Sequence, residues 1–129
     1  MMRPPIMLDD DAVRRHLSLD VLLPAIKQAL IDLSAGRVVQ PPRTVMELPG
    51  PGSLFFVKPA LAGKALATKL ISQVPGNTAR DLPTMIATLL LLDPATGVPL
   101  AVMDATWLTE LRTAAVSAVA TRALRDGGP

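Results

Sequence analysis

The sequence has no cysteine and no tyrosine, and its 129 residues include one histidine, one tryptophan and two phenylalanines. Without cysteine the chain has no disulfide, no thiolate nucleophile and no cysteine-ligated zinc, and a reducing compartment is compatible with this composition. The single histidine, His16, points to neither a metal cluster nor a Ser-His-Asp triad. Several classes of catalytic and metal site are therefore excluded before any motif is considered.

Long apolar runs and charge of one sign are also lacking. The longest unbroken apolar run, TLLLL with its flanks at 85–92, is far shorter than the roughly 20 residues of a membrane-spanning helix. The start, MMRPPIMLDDD, lacks the apolar stretch of a signal peptide. The 13 basic residues barely exceed the 11 acidic ones, and they are scattered along the chain. A nucleic-acid surface needs clustered basic residues and stacking aromatics, so we expect no nucleic-acid binding. The short apolar runs and the missing signal peptide lead us to expect a cytoplasmic protein that does not bind a membrane.

What the chain does have is apolar periodicity, since 50% of its residues are hydrophobic. The pattern predicts one domain of the α+β class: N-terminal helices, a mixed or antiparallel sheet of about five or six strands, and a long C-terminal helix. The first helix, DAVRRHL, should be capped by Asp9 or Asp10. The second, LDVLLPAIKQALIDL, should begin at Ser18 or Asp20 and end near Gly36. The predicted strands are residues 6–8, RTVMEL, SLFFVKPAL, KALATKLIS, TMIATLLLLD and VPLAVM, with a DPATG hairpin turn between the last two.

The long C-terminal helix, which Asp104 should cap and the Gly127–Gly128 pair should end, carries an arginine on its apolar side. At about 100° per residue, Arg112 lies about 200° from Glu110, whose side of the helix is polar. The two cannot pair, because residues two apart point in different directions. The neighbours on the side of Arg112 are Leu108, Ala115, Val116, Val119 and Ala123.

A guanidinium on an apolar face needs a partner, because it does not escape burial by losing its proton. That partner is either a distant carboxylate of this protein, in a structural salt bridge, or the carboxylate or phosphate of a ligand. A side chain that reaches solvent from the edge of its element is the other interpretation. The helix pattern alone leaves these alternatives open.

A second cation is predicted on an apolar face, in the strand KALATKLIS. Alternation along this strand puts Lys69 on the same side as its alanines and isoleucine. Arg43 shares a face with Glu47, which would neutralise it across the sheet, and Lys58, followed by Pro59, is predicted at a strand end. We expect the two inward cations to form an anion site; a dimer interface in which another chain supplies their partners is the alternative.

Five segments, in this order and spacing, resemble the ornithine cyclodeaminase and mu-crystallin family from about residue 6 to residue 126: VQPPRTV, ATKLIS, GNTARDLPTM, LLLLDPATGVPLAVMD and LTELRTAAVSAVAT. The resemblance implies an N-terminal α+β domain that dimerises and holds the substrate, followed by a Rossmann domain that binds NAD(H) or NADP(H). Members of the family are ketimine or pyrroline-2-carboxylate reductases, alanine dehydrogenases or ornithine cyclodeaminases. Residues 1–129 would then be the substrate-binding and dimerisation domain, without the Rossmann domain.

Carried over by motif, the resemblance implies that Arg43, Lys69 and Arg112 bind the carboxylate of a small amino or imino acid. It also implies that Thr84 and Arg112 lie near the nicotinamide cofactor. The catalytic aspartate of the family belongs to the Rossmann domain, so we expect no catalytic residue in this chain and no activity from it alone. A small amino or imino acid carboxylate and a second copy of the chain, forming a homodimer, are the partners that the resemblance implies.

The sequence departs from the family pattern at two places. The stretch LISQVPG lacks the Asn-Gly-His-Pro associated with ornithine cyclodeaminases, and Ala105 stands where the family usually has glycine. The first departure argues against ornithine itself as the substrate. The resemblance leaves open cyclodeaminase, reductase or dehydrogenase activity, and it leaves open NAD or NADP because the residues that read the ribose belong to the Rossmann domain. The competing hypothesis is a non-catalytic, truncated module for binding and dimerisation.

Overall fold

The computed structural model describes residues 2–125, which fold into one mixed sheet with helices on one side. This is the predicted α+β class with its helices and strands in the predicted order. The elements are β1 (Ile6–Leu8), α1 (Asp10–His16), α2 (Leu19–Ser34), β2 (Val38–Val39), β3 (Thr44–Glu47), β4 (Leu54–Ala62), β5 (Ala65–Gln73), a 3₁₀ helix (Pro75–Arg80), β6 (Met85–Leu92), β7 (Pro99–Asp104) and α3 (Thr106–Arg125). Within the described range the sheet has seven strands, and the unpredicted one is β2, whose two residues are too short to show alternation.

The sheet is built around a long antiparallel core. Its order is β1-β7-β6-β5-β4-β2, β3 pairs with β4 as well, and β1 joins β7 in parallel. β4 and β5 pair along nine residues each, and the turn between them contains Gly63 at a φ of 58°. The predicted DPATG turn joins β6 to β7, with the amide of Gly97 donating to the carbonyl of Asp93 at 2.8 Å. Both hairpins fix which side chains of neighbouring strands share a face.

Carboxylates assist the start of two of the three α-helices: Asp9 is the predicted N-cap residue of α1, and Asp104 acts from the end of β7, with Ala105 between it and α3. Asp9 accepts a hydrogen bond from the amide of Ala12 at 2.8 Å, and Asp104 accepts one from the amide of Thr106, at the start of α3, at 2.9 Å. Ser18 is the N-cap residue of α2. The predicted end of α3 at Gly127–Gly128 lies outside the described residues. Among residues 2–125, no helix combines the length and the apolar character needed to cross a membrane.

The helices cover one face of the sheet. The buried strand residues Ile71 and Ala87 pack with Ala105 under α3, and a second cluster joins Leu22 of α2 to Leu111 of α3. The chain exposes 8997 Å² of surface, whereas a compact monomer of its mass should expose about 6,600 Å².

Part of this excess is the opposite face of the sheet, which we call the open face. By register it carries half-buried apolar residues from four strands: Phe55, Val57, Leu66, Leu70, Leu90 and Val102. The pairing puts each of them on the side away from Ile71 and Ala87. The domain therefore has one face packed by helices and one apolar face that no described helix covers.

Candidate functional site: a cluster of cations between the sheet and the last helix

Arg112 lies on the second turn of α3, on the side that faces the sheet. Its Nε atom is buried and, within residues 2–125, has no hydrogen-bond partner. Buried polar atoms in folded proteins nearly always have a partner, and a guanidinium stays charged when it is buried. The position of Arg112 therefore agrees with its predicted place on the apolar side, and its missing partner points to an anion.

Lys69 projects from β5 toward the same helix, as its strand pattern predicted. Its Nζ donates a hydrogen bond to Oγ1 of Thr109 at 3.3 Å, one turn before Arg112. The pKa of Lys69 is lowered to about 8, first by burial and then by the positive charges of Arg112 and Lys58. Lys58, Lys69 and Arg112 are thus close enough for their charges to act on one another. The hydrogen bond from Lys69 to the hydroxyl of Thr109 neutralises no charge, because a hydroxyl is uncharged.

Lys58 corrects a sequence prediction, because it lies in the middle of β4 and not at a strand end. The strand continues through Pro59 at a point where its outer edge is unpaired, since β3 pairs with β4 as far as Val57 and the pairing with β2 covers only Leu61 and Ala62. Lys58 lies directly opposite Lys69 on β5. Burial, followed by the charges of Arg43 and Arg112, lowers the pKa of Lys58.

Arg43 immediately precedes β3 and completes the group. Its guanidinium carbon lies 5.1 Å from the centroid of the Phe56 ring, and Nζ of Lys58 lies 6.0 Å from the same centroid. The predicted neutralisation of Arg43 by Glu47 does not occur among the described residues, whose ion pairs join Arg14 to Asp10 and Arg37 to Asp32.

We call Arg43, Lys58, Lys69 and Arg112 the cation cluster. No carboxylate of residues 2–125 lies within the 4.0 Å of an ion pair from any member. Guanidinium and ammonium groups arranged in this way bind carboxylate or phosphate oxygens, with arginine able to bind two oxygens at once. The arrangement is therefore that of a candidate anion site.

Thr84 lies apart from these contacts. It is an exposed residue just before β6, and its carbonyl accepts a hydrogen bond from the amide of Val74 at 2.7 Å. The segment that leads to it is held by Asn77, a buried residue whose Nδ2 donates to the carbonyl of Pro83 at 2.9 Å. No described contact joins Thr84 to the cation cluster, so its role near a cofactor stays a prediction.

Sequence analysis missed Lys58 and the ring of Phe56. The signal was present, because alternation along SLFFVKPAL puts these two residues on one face, but the following proline suggested that the strand ended there. A concave surface of about 1110 Å³ lies elsewhere, between α2 and α3, and no member of the cation cluster lines it.

Fold and site together define an α+β domain with a candidate anion site beneath its last helix. The chain belongs to the ornithine cyclodeaminase/mu-crystallin family, whose model matches residues 3–127. It is 41% identical to the ketimine reductase mu-crystallin of Rattus norvegicus over 134 aligned positions, covering 99% of this chain and 43% of that protein.

Solved structures show the same fold. The Delta(1)-pyrroline-2-carboxylate reductase of Thermococcus litoralis, in complex with NADH and L-proline, matches with a TM-score of 0.86 and 34% identity, over 90% of this chain and 36% of that one. An archaeal alanine dehydrogenase dimer with bound NAD matches with a TM-score of 0.83 and 33% identity, over 87% of this chain and 34% of that one. The chain thus spans well under half the length of these relatives.

Proposed function

We propose that this chain is the substrate-binding part of an NAD(P)-dependent amino or imino acid oxidoreductase, or of an ornithine cyclodeaminase-like enzyme. In this proposal Arg43, Lys69 and Arg112 hold the carboxylate of the substrate. The observation that carries it is the buried Nε of Arg112, which has no partner among the described residues although other cations surround it. Relatives named as reductases of cyclic imino acids and as alanine dehydrogenases support the substrate class.

The chemistry follows from the positions of the cations. A carboxylate placed between the sheet and α3 would receive hydrogen bonds from the guanidinium of Arg112 and the ammonium of Lys69, which offset its charge and fix its orientation. A bound nicotinamide cofactor supplies or accepts the hydride in such reactions. In this chain the hydroxyl of the exposed residue Thr84 and the guanidinium of Arg112, whose Nε has no partner among the described residues, are the donors that we assign to cofactor contact.

We assign the remainder of the nucleotide site, and the acid-base group, to a Rossmann domain outside residues 1–129. This assignment rests on the family and on the short span of the chain relative to its relatives. The 129-residue chain should then bind small carboxylates without turning them over. Steady oxidation of NAD(P)H with a cyclic imine by this chain alone would contradict the assignment.

We also propose that two copies of the chain associate through the open face. The face is apolar and lies on the side of the sheet away from the helices, and the chain exposes more surface than a compact monomer of its mass. The archaeal alanine dehydrogenase that shares the fold is a dimer. A non-catalytic binding and dimerisation module is the second candidate function, and the open face is the observation in its favour.

Titration of the chain with butyrate, followed by NMR of the backbone amides of residues 109–113, tests the carboxylate pocket. We expect saturable shifts at these amides, and at least a tenfold loss of affinity in Arg112→Ala and in Lys69→Ala, because each removes a charge-assisted hydrogen bond. Arg37→Ala is the matched control, since Arg37 pairs with Asp32 on the surface and should leave binding unchanged. Unchanged affinity in both site variants would refute the pocket, and a dimer that binds no carboxylate would favour the module.

A further inference from the structure

Lys58 gives the cation cluster one more positive charge than the proposed carboxylate site uses. We infer that Lys58 determines specificity by binding a second anionic group of the substrate, so that the chain takes a dicarboxylic amino or imino acid. This inference rests on the proposed function and names the substrate class of the same site. Its evidence is the geometry of Lys58 relative to the other members of the cluster.

The first observation is the register of the two central strands. Lys58 and Lys69 are direct partners on β4 and β5, so their side chains leave the same face of the sheet at neighbouring positions. Like charges directly opposite each other destabilise a sheet. Since no carboxylate of the described residues pairs with either lysine, nothing on the described protein offsets this repulsion. The proposed carboxylate is held by Arg43, Lys69 and Arg112, so it leaves Lys58 without a matching anionic group.

The second observation is that the cations are spread across the sheet. Lys69 lies on β5 beneath α3, Lys58 on β4, and Arg43 just before β3, so the positive charge extends over three neighbouring strands at about 5 Å per strand. The ring of Phe56 lies under both Arg43 and Lys58 and gives this end an apolar floor. The lowered pKa of Lys58, to which Arg43 and Arg112 contribute after burial, agrees with a central position. An extended ligand with one anionic group near Arg112 and another near Lys58 matches this distribution.

Other surfaces of the described residues do not indicate the chemistry of a ligand as clearly. The groove between α2 and α3 is mostly apolar, and nothing in the described residues shows what covers it. The cation cluster, by contrast, specifies the sign of the groups that it would bind and includes a cation beyond those assigned to one carboxylate. Both carboxylates of one small acid satisfy this pattern without a further protein residue.

The test compares succinate with butyrate, which replaces one carboxylate by a methyl group and keeps the carbon chain length. Both are titrated into the 129-residue chain by NMR at pH 7 and constant ionic strength, because a dianion responds more strongly to salt. We expect succinate to bind at least about tenfold more tightly than butyrate, as one additional charge-assisted hydrogen bond would provide. In Lys58→Met, whose side chain is also unbranched but neutral, the preference should fall below about threefold, because succinate loses more affinity than butyrate.

Lys58→Arg keeps the charge and should keep the preference, and Lys58→Gln repeats the loss if the methionine variant is poorly folded. Equal affinity for the two acids in the unsubstituted chain overturns the inference. The inference is also overturned if Lys58→Met lowers the affinities for succinate and butyrate by the same factor. Lys58 would then contribute only to the overall positive potential of the site and would not bind a second carboxylate. In these two results butyrate still binds and depends on Arg112, so the proposed function stands. Absence of butyrate binding refutes the proposed function, and the inference with it.

Discussion

Carboxylate binding by the cation cluster should weaken about tenfold between pH 7 and pH 9. The pKa of Lys69 is lowered to about 8 from an ordinary value near 10.5, so the folded chain loses this ammonium charge within that range. The charged groups that face it are Lys58 on β4 and Arg112 on α3, and both favour loss of the proton. If the bound form needs charged Lys69, affinity follows its protonated fraction, which falls from about nine-tenths at pH 7 to about one-tenth at pH 9.

This tenfold change corresponds to about 1.4 kcal/mol of binding free energy. Butyrate is a suitable probe because its own carboxyl group stays ionised throughout the range, as Asp and Glu side chains do. Dissociation constants are measured at pH 7, 8 and 9 by NMR titration at constant ionic strength. Lys69→Arg should bind butyrate with nearly constant affinity, since arginine does not lose its proton in this range. Lys69→Met should bind about ten- to hundredfold more weakly at pH 7 and show no decline above it.

Two results would refute this reasoning. The first is an affinity of the unsubstituted chain that does not change from pH 7 to pH 9. The second is a Lys69→Arg variant whose butyrate affinity declines as steeply as that of the unsubstituted chain, because the titrating group would then be another residue.

The lowered pKa of Lys69 also has a consequence for stability. The unfolded chain binds a proton at Lys69 more tightly than the folded one, so charged Lys69 opposes folding below pH 8. Its penalty should be relieved as the pH rises from about 8 to about 10.5.

Two further predictions concern assembly and folding. Leu70→Glu puts a charge in the open face and should convert a dimer into a monomer in sedimentation experiments. The control is Ser117→Glu on the exposed side of α3, which should leave the dimer intact. A dimer that survives Leu70→Glu would exclude the open face as the interface. Asn77→Ala leaves the carbonyl of Pro83 without its donor and should lower the free energy of unfolding by about 1–3 kcal/mol in urea titrations. A change within about 0.5 kcal/mol would mean that solvent satisfies that carbonyl.

Periodicity predicted the order of the elements and the two inward cations because these are local properties of a helix or a strand. Lys69 and Arg112 each stand out against apolar neighbours within a few residues, and no knowledge of the tertiary fold is needed to see it. The central position of Lys58 depends on the pairing of β4 with β5 and on an unpaired stretch of its other edge, and both are long-range features. Burial of Asn77 was equally hidden, since a 3₁₀ turn has no apolar period that distinguishes an inward residue.

Whether Lys58 belongs to the cation cluster depends on the length of the turn at Gly63. Because this turn sets the register of β4 against β5, Lys58 meets Lys69 only when the connection has its present number of residues. An insertion or deletion of one residue there that slipped the pairing by one position would place Lys58 opposite a residue of the other face, although no residue of the cluster had changed. A relative with a different length of this hairpin turn can therefore have the same residues on β4 and β5 and yet place other side chains opposite Lys69. We expect such a relative to recognise different acids.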